Sequence, residues 1–341
     1  MVVSRHISRH AYPRRAFLSQ ASALGVSSML GLRDASAAEP PPEVRRITLA
    51  RSRALCVAPQ YVAEALLRAE GFTEIRYARD WKRSVTENAA TGDADFSLGF
   101  SGHIIARIDA GDPVVVLAGV HVGCYELFAT SQVNTIRDLR DKTVGIWLLG
   151  GDHHLFVASM AAYVGLDPHK DIRWVAQAPE ASIRQLAEQK IDAYLAFVPE
   201  QYELREKRIG HVVVSTTTDR PWSQYFCCML TGNREFVRNY PVATKRAMRA
   251  ILKAADICAE EPVRVARLLV DGGYAQRYDY ALQTLQDLPY GTWRTYDPED
   301  TIRFFSLRLH EVGMIKLQPQ KIIAQGTDWR ILTELKKELK A

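Results

Sequence analysis

Short apolar stretches that fit β-strands alternate with longer amphipathic stretches that fit α-helices along the first half of the chain. Strands are predicted over 46–51, 73–78 and 93–100. A helix is predicted over 59–69, because its apolar residues recur at helical spacing and a proline, tolerated in a first helical turn, opens it. A second helix over 102–110 ends at Gly111. Strands that alternate with helices predict a parallel sheet covered by helices on both faces.

A second copy of this pattern follows at a constant offset of 97 residues. Residues 74–77 (Glu-Ile-Arg-Tyr) match 171–174 (Asp-Ile-Arg-Trp), and residues 95–100 match 192–197. Because both matches keep the same offset, they indicate a structural repeat. In the second copy, strands are predicted over 143–147, 171–176 and 191–197, and a helix is predicted over 153–164.

Two such copies need two connections between them. The predicted extended segments for these crossings are 114–120, 124–130 and, for the return, 224–230. After Thr231 the pattern is helical, and the predicted helices are 242–260, 263–269, 280–288, 301–312 and 327–339. The fourth has a clear start, since Asp297 is followed by a proline and two acidic residues. The sequence therefore predicts two lobes, the first from 43–125 plus 230–341 and the second from 126–229.

The first 38 residues have the pattern of an export signal. Arg14 and Arg15 precede a short, weakly apolar stretch and then small residues at 35–38, which is typical of a twin-arginine signal peptide. The alternative is a basic arm that is never cleaved. Cleavage near residue 38 would make the twin-arginine export machinery a partner and would place a soluble chain in the periplasm.

Most of the positive charge belongs to this segment. The chain has a formal net charge of +5, and residues 1–38 hold five arginines against one aspartate, which leaves +1 for residues 39–341. A nearly neutral chain gives no case for nucleic-acid binding.

The chain has five cysteines, which are Cys56, Cys124, Cys227, Cys228 and Cys258. An odd number leaves at least one thiol unpaired, and the sequence leaves open whether any pair forms a disulfide. Since no two of them have Cys-X-X-Cys spacing, no metal site, redox centre or cofactor is predicted.

Several segments, by their order and spacing together, resemble a known family. They are 58–64 (Ala-Pro-Gln-Tyr-Val-Ala-Glu), 92–96 (Gly-Asp-Ala-Asp-Phe), 108–114, 136–145 and 164–167. They are similar to segments of the solute-binding proteins of nitrate-, sulfonate- and taurine-type ABC transporters, a superfamily shared with the pyrimidine-synthesis proteins of the thiamine pathway. The resemblance covers nearly the whole chain after residue 38.

This resemblance implies an α/β fold of the type II-like periplasmic-binding-protein kind. Each of its two lobes would hold a sheet of mainly parallel strands flanked by helices, and the C-terminal region would be helical. It also implies a monomer that captures a small molecule and delivers it to the permease and ATPase subunits of an ABC importer.

Ligands of open parallel α/β sheets bind beyond the carboxyl ends of the strands, and two facing lobes would bring those ends into one cleft. Applied to the predicted strands and crossings, this rule nominates as ligand-binding residues Arg53, Cys56, Ser101, His103, His121, Gly150, Gly151, Asp152, His153, Glu200, Trp222 and Tyr225.

The glycine pair and the arginine among these residues favour an anionic group on the ligand. Gly150 and Gly151 precede a helix, where glycine lets the backbone approach closely and free N–H groups attract negative charge; the alternative is a tight turn. Arg53 could clamp a sulfonate, carboxylate or phosphate through two parallel hydrogen bonds, or could simply be solvated.

The other nominated side chains restrict the ligand further. Trp222 and Tyr225 would either stack on a flat ligand or pack in the core. Asp152 and Glu200 would repel a bare inorganic anion but accept hydrogen bonds from an amine or aminopyrimidine. Together they favour a small organic molecule with hydrogen-bond donors.

No catalytic residue is predicted. His153 and His154 diverge by about 100° on a helix and do not chelate one ion together. The related pyrimidine synthases carry a denser cysteine cluster than Cys227-Cys228, and neighbours on a strand point to opposite faces. An enzyme of thiamine-pyrimidine salvage or synthesis and a periplasmic sensor remain as alternatives to import.

Overall fold

Two five-stranded sheets form the framework of the protein. The computed structural model describes residues 39–78 and 83–340, so the predicted signal peptide lies outside the described residues. The strands are β1 (Arg46–Ala50), β2 (Glu74–Ala78), β3 (Phe96–Phe100), β4 (Val114–Val122), β5 (Tyr125–Ala129), β6 (Lys142–Ile146), β7 (Ile172–Ala176), β8 (Ala193–Phe197), β9 (His211–Ser215) and β10 (Phe226–Asn233). The strand order is β2-β1-β3-β10-β4 in the first sheet and β7-β6-β8-β5-β9 in the second.

Helices connect these strands and form the C-terminal region. Those of the described residues are α1 (Ala58–Ala69), α2 (Val85–Ala90), α3 (Ser101–Asp109), α4 (Asp152–Tyr163), α5 (Pro179–Ala187), α6 (Glu200–Glu206), α7 (Arg234–Asn239), α8 (Pro241–Glu260), α9 (Pro262–Asp271), α10 (Tyr278–Asp287), α11 (Pro298–Glu311), α12 (Pro319–Gly326) and α13 (Arg330–Glu338). The predicted start of α11 is confirmed, because the Glu299 N–H donates to Asp297 Oδ1 at 2.9 Å and a proline follows the cap.

The two sheets have the same topology, which confirms the predicted repeat. In each sheet the first three strands pair in parallel in the same order, β2-β1-β3 and β7-β6-β8. Matching carboxylates make matching contacts. The Thr48 N–H donates to Asp95 at 2.7 Å, and the Thr143 N–H donates to Asp192 at 2.8 Å.

The fourth strand of each sheet comes from a crossing segment and runs antiparallel to its neighbours. β10 lies between β3 and β4, and β5 lies between β8 and β9. Parallel strands therefore dominate both sheets, as expected. The described residues from Pro41 onward pack as one compact unit, and the lobe boundaries at 125/126 and 229/230 stay a prediction.

A buried aromatic cluster joins the two sheets. Phe100, the last residue of β3, stacks on Phe156 of α4 with ring centroids 4.6 Å apart. Tyr125 of β5 and Phe305 of α11 each pack edge-to-face on both of those rings. None of the four side chains is more than 6% exposed. The cluster therefore fixes the distance between the two sheets where their strand ends face each other.

None of the helices in the described part of the chain is both long enough and apolar enough to cross a membrane.

Replacing Phe156 by alanine should lower the free energy of unfolding by about 3–5 kcal/mol, because it leaves a cavity among rings from both sheets. Equilibrium unfolding in urea measures the change. Trp147→Ala is the control, since that ring is 51% exposed and its removal should cost less than about 0.5 kcal/mol. Equal losses in the two variants would contradict the central position of Phe156.

Candidate functional site

His103 and Asp152 form a polar bridge between the two sheets. His103 lies in the first turn of α3, directly after β3, and Asp152 is the first residue of α4, after β6. Nδ1 of His103 lies 2.8 Å from Oδ1 of Asp152. Two predicted site residues that are 49 positions apart in the chain therefore meet at the carboxyl ends of the strands.

The electrostatics of this bridge favour an ion pair. Burial alone would lower the pKa of His103, but the hydrogen bond and charge of Asp152, together with the charge of Glu87, outweigh it and raise the pKa above its ordinary value. The protonated form of the His103 imidazole is thus stabilised beside Asp152.

His153, Tyr194 and Glu200 lie on the second sheet's side of the same region. The His153 ring is nearly parallel to the Tyr194 ring, with centroids 6.2 Å apart, and lies edge-on to Tyr125. The Tyr194 hydroxyl donates to the Glu200 carboxylate. Nε2 of His153 is buried and has no hydrogen-bond partner among the described residues, which leaves it available to a ligand.

Burial keeps both ionisable groups here largely uncharged at neutral pH. It lowers the pKa of His153 to about 4 and raises the pKa of Glu200 to about 8, against the hydrogen bond from Tyr194. A protonated Glu200 would not repel an anion, so the argument that this carboxyl disfavours an anionic ligand is weakened.

The Gly150-Gly151 pair lies at the start of α4, but its backbone N–H groups already have partners. Gly150 has φ of +78°, in the left-handed region that favours glycine, and its N–H donates to Nδ1 of His154 at 2.9 Å. The Gly151 N–H donates to the Leu148 carbonyl oxygen at 3.1 Å. The pair therefore forms a tight turn, the alternative to an anion cradle.

The connection from β6 to α4 also exposes apolar side chains. Trp147, Leu148 and Leu149 are all exposed and directly precede Gly150. They form an apolar surface beside the predicted site.

Trp222 and Tyr225 make packing contacts. Trp222 is buried, with its ring edge-to-face against Phe156, Tyr163 and Phe304. Tyr225 stacks on Phe304 with centroids 4.0 Å apart. Trp222 thus fills the space between α4 and α11, and Tyr225 packs on α11.

Ser101 and Arg53 lie at the ends of β3 and β1. Ser101 is buried, and its hydroxyl donates to the Phe226 carbonyl oxygen at 3.1 Å, which ties α3 to β10. Arg53 is exposed, in the loop between β1 and a 3-10 turn at Leu55–Val57.

Cys56 and His121 belong to a buried group of donors that sequence reasoning missed. One ligand atom from each of Cys56, His121, Cys124 and Cys228 lies within 4.8 Å of the other three. The pairing of β10 with β4 changes register on both sides of Cys228, so the expectation that Cys227 and Cys228 simply point apart is wrong; Cys227 Sγ also lies 2.9 Å from Cys124 Sγ. The signal that could have indicated the group is the spacing His121-X-X-Cys124.

Gln60 is a second residue of interest that no sequence pattern singled out. It is fully buried near the start of α1, and neither Nε2 nor Oε1 has a partner among the described residues. Because an unpaired buried amide is costly, a water molecule or a ligand group is expected beside it. The only signal in the sequence was its place in the segment 58–64.

A wide surface groove of about 1040 Å³ lies elsewhere, between α1 and α9. Charges of both signs line it, among them Glu64, Arg68 and Arg267, and none of the predicted site residues does. It is separate from the region where the two sheets meet.

The family model described as NMT1/THI5 like matches residues 75–265. No curated protein matches the sequence.

Solved structures share the fold. The periplasmic nitrate-binding protein NrtA from Synechocystis PCC 6803 superimposes with a TM-score of 0.72 at 14% identity, covering 88% of this chain and 90% of that chain. The alkanesulfonate-binding protein SsuA from Xanthomonas axonopodis pv. citri, bound to MOPS, superimposes with a TM-score of 0.68 at 14% identity. The match covers 86% of this chain and 100% of that chain. The desulfurization enzyme DSZB superimposes with a TM-score of 0.59 at 14% identity, covering 86% of this chain and 100% of that chain. These likenesses confirm the predicted periplasmic-binding-protein fold, which evidently supports both binding proteins and an enzyme.

His103→Gln should destabilise the protein most in acid. Since the folded-state pKa of His103 is raised above its unfolded value of about 6.5, its pair with Asp152 stabilises fully below that pH and loses its effect as pH rises through the folded-state pKa. Urea unfolding of both proteins across a pH series measures this. His211→Gln, at an exposed position of β9, is the control. A difference between wild type and His103→Gln that does not change with pH would contradict the ion pair.

Glu200→Gln should stabilise the protein increasingly as the pH rises. The folded state holds a proton on Glu200 up to about pH 8, whereas the unfolded chain releases it near pH 4.3, so wild-type stability falls across this window relative to the variant. In the same unfolding series, the free energies of unfolding of the two proteins should be equal in acid. The variant should become the more stable of the two as the pH rises toward 8. Glu203→Gln, on the same helix but ion-paired with Lys207, should show no such gain.

Proposed function

Because this chain belongs to the NMT1/THI5-like family and has the fold of periplasmic solute-binding proteins, we propose that it is the substrate-binding component of an ABC importer. It would capture a small solute reversibly where the two sheets face each other. The observation that carries this proposal is the meeting of His103 and Asp152, since strand-end residues of both sheets form one polar site there.

The crossing segments supply a hinge for such capture. Gly123 and Cys124, between β4 and β5, have φ of +81° and +82°, and a Cβ on Gly123 would lie 2.4 Å from Oγ1 of Thr217 in the returning segment. The two crossings are therefore in close contact. Rotation about them would open and shut the site, and the closed shape would dock on the permease.

We propose a small organic solute, such as a sulfonate, a taurine-like compound or a pyrimidine, rather than nitrate. The uncharged His153 and Glu200 offer hydrogen bonds, and the rings of Tyr125 and Tyr194 offer apolar contact. The alkanesulfonate of the SsuA neighbour has both polar and apolar parts, as this arrangement requires. The exposed apolar side chains before Gly150 would be covered when the site shuts.

Export would follow from the first 38 residues. We propose that they direct the chain through the twin-arginine machinery and that cleavage near residue 38 releases a monomer into the periplasm.

The experiment is a thermal-shift panel on the purified protein. The compounds are taurine, alkanesulfonates, aromatic sulfonates, nitrate, aminopyrimidines and amino acids. A ligand present at 100 times its dissociation constant should add about 2.7 kcal/mol of stability. A saturable shift with one class, and recovery of that compound unchanged, supports the proposal. No shift with any of them would count against it.

An enzyme on the same fold is the second candidate. It is favoured by the buried thiol group next to Tyr125 and by the fold's presence in a desulfurization enzyme. Recovery of a chemically altered compound from the same panel would support this candidate instead. A periplasmic sensor would bind in the same way, but deleting the gene for this protein would then leave uptake of the solute unchanged.

Arg53→Ala should weaken an anionic ligand by about 1–3 kcal/mol if the guanidinium makes a charged hydrogen bond to it. Isothermal titration calorimetry with the compound found by the panel measures the loss. Arg46→Ala is the matched control, because Arg46 begins β1 and so lies at the other end of that strand from Arg53. Unchanged affinity in Arg53→Ala would remove this residue from the site.

A further inference from the structure

We propose that Cys56, His121, Cys124 and Cys228 bind a zinc ion. The four residues come from separate parts of the chain: the turn before α1, the end of β4, the junction of β4 and β5, and β10. All four are buried. This site goes beyond solute binding and departs from the expectation, based on the missing Cys-X-X-Cys spacing, that the protein has no metal centre.

The spacing of the donor atoms suits a tetrahedral ion. All four ligand atoms lie within 4.8 Å of one another, and the Sγ atoms of Cys56 and Cys228 are 3.9 Å apart. Zinc–sulfur bonds of about 2.3 Å at tetrahedral angles separate two ligand sulfurs by about 3.8 Å. The sulfurs of Cys56 and Cys228 therefore already have the separation that a tetrahedral zinc ion requires.

The hydrogen bonding of His121 leaves one nitrogen for a metal. Nδ1 lies 3.0 Å from the Val122 carbonyl oxygen, and since a carbonyl only accepts, Nδ1 carries the proton. Nε2 is then the nitrogen with a lone pair, and it is fully buried with no hydrogen-bond partner among the described residues. A histidine whose second ring nitrogen donates to a backbone carbonyl is the arrangement commonly found at metal sites.

The chemistry of the donors selects zinc. Three cysteine sulfurs and one imidazole form a closed N/S set of the kind that holds structural zinc. Two positive charges would offset most of the charge on three buried thiolates, which would otherwise be costly to bury. The ion would tie the outgoing crossing at Cys124 and the returning strand at Cys228 to the start of α1.

The test begins with metal analysis of the purified full-length protein, prepared under reducing conditions and supplied with zinc. We expect one zinc per chain. Replacement of zinc by Co²⁺ should give the intense visible bands of tetrahedral cobalt together with thiolate-to-cobalt charge transfer. This spectrum reports the donor set in the unaltered protein, so it does not depend on a variant folding.

Cys228→Ser should lower zinc affinity by more than about 100-fold, beyond the loss that outer-shell changes cause. Cys258→Ser is the matched control, because Cys258 is a fully buried thiol of α8 that does not belong to the donor group. It should keep one zinc per chain.

Three results would overturn the proposal. They are a wild-type protein without zinc, an equal loss of zinc in Cys258→Ser, and a Cys124–Cys227 disulfide in the reduced preparation. The last would be seen by mass spectrometry of peptides, and it is the competing fate of Cys124, whose sulfur lies 2.9 Å from that of Cys227.

Discussion

The stacking of Phe100 on Phe156 is the contact on which the candidate site depends. Phe100 ends β3 and is followed within three residues by His103, while Phe156 lies one helical turn after Asp152. The stacked rings therefore hold the starts of α3 and α4 together, and the polar bridge forms at their edge. Gly102 makes this possible, because a Cβ there would lie 2.6 Å from the Phe100 ring.

The same aromatic packing sets the charge state of the site. Rings around His153 remove it from water, and the imidazole loses its proton as a result, while the half-buried Glu200 keeps its own proton. His103 is buried as well, but a carboxylate lies within hydrogen-bond distance of it and reverses the effect. One region thus contains an ion pair and two neutral groups, an arrangement that favours a ligand with both polar and apolar parts.

The crossing between the sheets places a second kind of chemistry beside the first. The chain passes from β4 to β5 through Gly123 and Cys124, both with positive φ, and returns through β10, whose register changes at Cys228. With these two irregularities, the sulfur atoms of Cys124 and Cys228 lie in the same buried group of donors. Tyr125 follows Cys124 directly and packs against His153, the residue after Asp152.

The sequence by itself determined the repeat and most of the elements, although β9, α6 and α12 were not predicted. The helix predicted over 59–69 is Ala58–Ala69, and the strand predicted over 46–51 is Arg46–Ala50, because periodicity and capping act within a few residues. The rule that ligands bind beyond the carboxyl ends of strands also nominated His103 and Asp152, and the structure places these two side chains in contact. Only the tertiary structure decided which side chains touch: Cys56 meets Cys228 across 172 positions, and Trp222 fills a core instead of an open cleft. Such contacts depend on how whole helices and sheets pack and on the register shifts of β10 against β4, and no local pattern of residues encodes them.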